Sequence, residues 1–124
     1  MKVIRIAVTL LAFVELAHAQ APKPDQVSPA LLEKIRQASA KKLRDPYSAH
    51  FDHMKRGIRT NVKGKPTEVV CGLVNAKNAY GAYVGLQPFI YFVADGDFQI
   101  QRAGDAADAV VMPAMLKTFC TGLL

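Results

Sequence analysis

Two cysteines, Cys71 and Cys120, are the only thiols in the chain, and the bond they can form constrains its fold more than any other feature. Such a bond would close a loop of about 50 residues, for which the chain-entropy relation gives roughly 4 kcal/mol of stabilisation. Two thiols can instead be reactive or hold a metal. A metal would need further ligands, and neither cysteine has a C-x-x-C neighbour. A structural disulfide is therefore the expectation, and it requires an oxidising compartment.

The N-terminus supplies a route to one. Lys2 and Arg5 form a short positive segment, Ile6 to Leu16 is mostly apolar, and Ala17-His18-Ala19 has the small-x-small pattern that signal peptidase accepts. Residues 1–19 are expected to be a signal peptide cleaved after Ala19. The apolar run is too short to span a bilayer of roughly 30 Å and is interrupted by Glu15, so no membrane span is expected. No cysteine stands at the cleavage point to carry a lipid. The expected destination is the bacterial periplasm or the exterior.

What remains after cleavage suffices for one compact domain and not for two cores. Its charge is uneven. Gln20 to Asn78 holds 12 basic and 5 acidic residues, whereas Ala79 to Leu124 holds 2 basic and 4 acidic. A basic face can attract nucleic acid, anionic lipid, cell-wall polymer or an acidic protein, and it also keeps a small protein soluble. Lys41, Lys42, Arg44, Lys55, Arg56, Arg59, Lys63 and Lys65 have few aromatic residues among them to stack bases, which argues against nucleic acid.

Local signals give an α+β domain over residues 28–124, after a flexible leader at 20–27 that carries Pro22 and Pro24. Ser28 can cap a helix that starts at Pro29, and Leu31, Leu32, Ile35, Ala38 and Leu43 fall near one face of it. Asp45-Pro46 stops that helix by Arg44 and can cap a turn through Ser48. A moderate strand follows from Ala49 to Met54 and fades into the basic stretch Lys55 to Arg59, with Asn61 to Pro66 as a hairpin loop. Thr67 to Val74 is rich in β-branched residues and reads as a better strand, with Val69, Cys71 and Leu73 on one face and Val70, Gly72 and Val74 on the other. Asn75 to Gly81 is the expected connection to a strand that starts near Ala82 or is broken by Pro88. Asp95-Gly96-Asp97 is a tight turn between strands at Phe89 to Val93 and Phe98 to Gln101. The sheet is expected to be small and antiparallel, with three to five strands. Asp108 can cap a short C-terminal helix over Val111, Met112, Met115, Leu116 and Phe119, although Pro113 moves its expected start towards Met112. Cys120 lies at the end of this helix, so the disulfide would tie the helix to the sheet.

Two stretches, LRDPYSAHF at 43–51 and CGLVNAKNAYGAYVG at 71–85, together with Phe89 and the late cysteine, resemble small exported bacterial proteins with DPxSAxF and CGxVNxKNxxGxYxG elements. The resemblance covers residues 43–92 and Cys120. This chain has Ala82 where glycine commonly precedes the second tyrosine in such proteins. The resemblance implies a distinct exported domain and supplies no catalytic residues, cofactor or metal.

The densest polar and aromatic punctuation lies in the second stretch. Asn75, Lys77 and Asn78 offer amide donors, acceptors and a cation beside Tyr80 and Tyr83, a set able to grip a carbohydrate, peptide or protein. The plainer reading is that the asparagines shape turns and the tyrosines finish the core. His50 and His53 are the best catalytic candidates. On a strand, however, His50 and Asp52 share a face while His53 points away. No G-x-S-x-G or nucleotide-binding loop is present. The expected function is that of a non-catalytic binding protein acting on an envelope protein or cell-wall component as an accessory, inhibitor or immunity factor. The alternative is a small secreted hydrolase, a nuclease in particular, using His50, His53 and Lys77.

Overall fold

The computed structural model describes residues 23–102, 104–106 and 108–124. The signal peptide expected at 1–19, and the leader as far as Pro22, lie outside the described residues. Two helices and four strands follow in the order α1 (Pro29–Ser39), β1 (His50–Thr60), β2 (Pro66–Lys77), β3 (Tyr83–Phe92), β4 (Asp97–Ile100) and α2 (Asp108–Cys120). The strands form one antiparallel sheet in sequence order, β1-β2-β3-β4.

The helix α1 begins as its sequence dictates. Ser28 Oγ accepts from Leu31 N at 3.1 Å, and Pro29 occupies the first position, where no amide donor is needed. The helix ends at Ser39, a turn earlier than the periodicity to Leu43 suggests. Leu43 N still donates to Ser39 O at 2.8 Å, so Leu43 remains on the buried side through a turn after the helix. Arg36 then ties the helix to the next turn, with its Nη1 donating to Pro46 O and Ala49 O while its guanidinium lies over the Phe51 ring. Asp45 caps that turn by accepting from Ser48 N, as expected, and this bonding to Ser48 lowers the Asp45 pKa.

Both faces of the sheet are covered. On the first, Val70, Val74, Phe89, Tyr91, Phe98 and Ile100 meet Ile35 of α1. Phe89 stacks on Phe98 with ring centroids 5.2 Å apart and receives the edge of Phe51 at 5.6 Å. Gly72 makes this packing possible, because a Cβ there would stand 2.8 Å from the Phe89 ring and 2.9 Å from Met54 Cγ. On the second face Val69, Cys71 and Ile90 meet Cys120 and Leu123, with Phe119 edge-on to Phe92. The disulfide between Cys71 and Cys120, with Cα atoms 5.7 Å apart, fastens α2 to the central strand β2.

Three further boundaries differ from the sequence reading. The strand β1 runs on to Thr60 through the basic stretch, because pairing with β2 from Lys55–Cys71 to Thr60–Pro66 holds it, with Lys55 exposed and the half-buried Arg56 paired with Glu68. The strand β2 continues to Lys77, so Asn75 and Lys77 are strand residues and the connection shrinks to 78–82. The helix α2 starts at Asp108, ahead of Pro113. Proline deprives only Ala109 O of its helical donor, and Met112 is buried in the turn that precedes it. Capping by the Asp108 side chain lies outside the described residues. Pro88 does not break β3. Its carbonyl accepts from Gln101 N, so its backbone faces the edge where β4 has already ended, and no ladder bond is lost.

Candidate functional site

The hairpin joining β2 and β3 is built from the asparagines that the sequence singles out. Asn78 Oδ1 accepts from Tyr80 N at 2.9 Å and from Ala82 N at 3.1 Å, while Asn78 N donates to Ala82 O, so its side chain shapes the turn. Asn75 pairs with Leu86 and Lys77 with Tyr83, which leaves Ala76 alone opposite Val84 and Gly85. That is a β-bulge. Gly85 takes the positive φ of 97° that the bulge requires, and its N–H donates to Asn75 Oδ1 at 3.0 Å. The bulge keeps Val84 on the same face of the sheet as Ala76 and Gln87.

Tyr83 is held on three sides. Its hydroxyl donates to Ser48 O at 2.9 Å, its ring lies 5.1 Å from that of His50, and Lys77 Nζ sits 5.4 Å from its centroid. Asn75, Asn78 and Tyr83 are therefore engaged within the protein. Lys77 and the 95%-exposed Tyr80 remain presented to solvent or ligand. His50 and Lys77 both contact Tyr83. His53 does not join them: it has a positive φ of 49° at an irregularity in β1, and its Nδ1 lies 3.3 Å from Asp52 of the same strand. Among the described residues, no three His, Cys, Asp or Glu side chains gather as a metal ion would require.

Beside the hairpin, on the α1 face of the sheet, lies a groove of about 460 Å³. Leu43, Ala76 and Val84 give it an apolar floor, and Lys42, Arg44, Lys77 and Arg102 line it with cations. Asn78 and Gln87 add amides, and no carboxylate lines the groove. Among the described residues none of the four cations forms a salt bridge. The turn after α1, the end of β2 and the segment after β4 each contribute. Sequence reasoning found Lys77 and Asn78 and placed Lys42 and Arg44 on a general basic face. It missed Val84, Gln87 and Arg102. The signal for Arg102 was its isolation, since only it and Lys117 are basic after Asn78.

Comparison with protein-family models, curated proteins and solved structures finds no match to this chain.

Proposed function

We propose that this chain is an exported, non-catalytic binding protein that takes an anionic partner in the groove beside the β2–β3 hairpin. The single observation that carries the reading is the convergence of Lys42, Arg44, Lys77 and Arg102 on one groove without a lining carboxylate. Four like charges brought together from three segments raise the local concentration of an anion, with Asp45 beside the groove offsetting part of the charge of Lys77. The export half of the reading rests on the signal-like N-terminus and on the disulfide, which persists in oxidising compartments. No described helix is long and apolar enough to cross a membrane. The partner classes are an envelope protein and a cell-wall component.

The test is affinity capture from the native envelope with wild-type protein and with Lys77→Ala combined with Arg102→Ala. Loss of a specific partner in the double variant supports the reading, and unchanged capture of every partner overturns it. The hydrolase alternative draws on the shared contact of His50 and Lys77 with Tyr83. Turnover of RNA, DNA or cell-wall polymer by purified protein, abolished by His50→Ala, would establish that alternative instead.

A further inference from the structure

The two edges of the sheet are finished differently. The outer edge of β1 is crossed by the segment before α1, where Arg56 N donates to Asp25 O at 2.9 Å. It is also broken by the His53 irregularity and studded with Lys55, Arg56 and Arg59. Each of these devices discourages another strand from pairing there.

The far side of β3 has no such protection near the hairpin. The strand β4 pairs with β3 only from Phe89–Ile100 to Phe92–Asp97, and the last bond beyond it runs from Gln101 N to Pro88 O. From Tyr83 to Leu86 no strand lies on the side of β3 away from β2 among the described residues. Backbone groups two residues apart face the same edge of a strand. Since Pro88 O points towards β4, the N–H and C=O of Leu86 point the same way, past the point where β4 has ended. Val84 and Leu86 are 50% and 54% exposed. This edge forms one wall of the cationic groove, through Val84 and Gln87.

From this juxtaposition we infer that the partner is an extended, acidic peptide segment that adds to the open edge of β3 in line with β4. Its backbone pairs with Leu86, and its carboxylates answer Lys77, Arg44 and Arg102. The inference rests on the groove being the binding site and goes further by naming what fills it. An unpaired backbone edge supplies hydrogen bonds of the kind a peptide strand returns, and Val84 and Leu86, exposed on opposite faces of the strand, offer apolar contact to neighbouring side chains. A polyanion held by charge alone would use neither. Tyr83, fixed against Ser48, His50 and Lys77, is also not free to stack a base.

The test measures fluorescence anisotropy of labelled ten-residue peptides with the purified, oxidised protein. One peptide alternates glutamate with valine. Its controls replace glutamate by lysine or carry N-methyl groups on one alternate set of residues or the other. Polyphosphate and a single-stranded oligonucleotide serve as polyanion controls. The acidic peptide is expected to bind at least tenfold more tightly than the lysine form. One N-methyl set should weaken it at least tenfold while the other has little effect. Leu86→Pro removes an outward N–H and no ladder bond, so it should cause a similar loss in a folded protein. Arg44→Glu with Arg102→Glu should weaken binding at least tenfold.

Absence of binding by the acidic peptide overturns the inference. So does binding insensitive to both N-methyl sets, whatever Leu86→Pro does. If polyphosphate or the oligonucleotide binds as tightly as the alternating peptide, strand addition is wrong while an anion-binding groove stands. Envelope capture that survives Lys77→Ala with Arg102→Ala removes the groove itself.

Discussion

The two faces of the sheet are covered by helices of opposite character. The helix α1 has a clear apolar stripe, a capped start and an arginine that fastens its end, and it meets a layered aromatic core at Phe51, Phe89 and Phe98. The helix α2 is apolar on more than one side, leaves Val110 and Val111 exposed, and carries a proline within it. Its docked set is smaller, and the disulfide lies at the centre of that set. Packing alone orients a helix whose apolar residues define one direction. A helix whose apolar residues point several ways has no unique docking angle, and a covalent tie supplies one.

Removing the tie should therefore give the largest effect. Cys71→Ala with Cys120→Ala is expected to cost about 4 kcal/mol in urea unfolding. Amide exchange should rise across α2 before it rises across α1, and equal acceleration in the two helices would break the contrast. On the other face, Ile35→Ala removes a fully buried side chain and is expected to cost about 3 kcal/mol by the same measurement. Exchange in α2 should then stay slow relative to α1. Gly72→Ala should cost about 2 kcal/mol, because the added methyl meets the Phe89 ring and Met54. Near-ultraviolet dichroism should report the displaced aromatic stack. Ser28→Ala removes the cap of α1 and should cost about 1 kcal/mol.

The smallest effect concerns acid. Bonding to Ser48 lowers the folded pKa of Asp45, so its contribution is present above the unfolded value near 3.8 and is lost as pH falls through the folded value. The stability difference between wild type and Asp45→Ala should hold steady above about pH 5 and shrink towards pH 3. A difference that grows on acidification would reverse the assignment.

Sequence gave the architecture where a local rule acts alone. Ser28-Pro29 marks the start of α1, Asp95-Gly96 makes the turn before β4, and two cysteines form one bond. It erred where pairing overrides local character. The cations Lys55, Arg56 and Arg59 look unlike a strand, yet they belong to a well-paired one, where Lys55 is exposed, Arg56 pairs with Glu68 and Arg59 donates to Thr121 O. Asn75 and Lys77 look like a loop because the polar end of a hairpin and a turn have the same composition. Within the site, the partners of Asn75 and Tyr83 lie 10 and 35 residues away, distances at which spacing carries no signal. The groove draws Lys42 and Arg102 together through the fold, so only Lys77 and Asn78 could be found within one stretch.

The sheet's order, in which each strand pairs with its neighbour in sequence, also fixes a sequence of events in time. Hairpins of this kind assemble from contacts of short range, on a timescale of about microseconds each. The bond between Cys71 and Cys120 joins residues 49 apart, and thiol oxidation takes seconds or longer. The meander forms first, and the thiols meet only once β2 and α2 have been carried together. With two cysteines there is one possible intramolecular pairing, so no shuffling among partners is needed. The disulfide acts as a latch on a sheet already formed, and until it closes α2 lacks the tie that sets its docking angle.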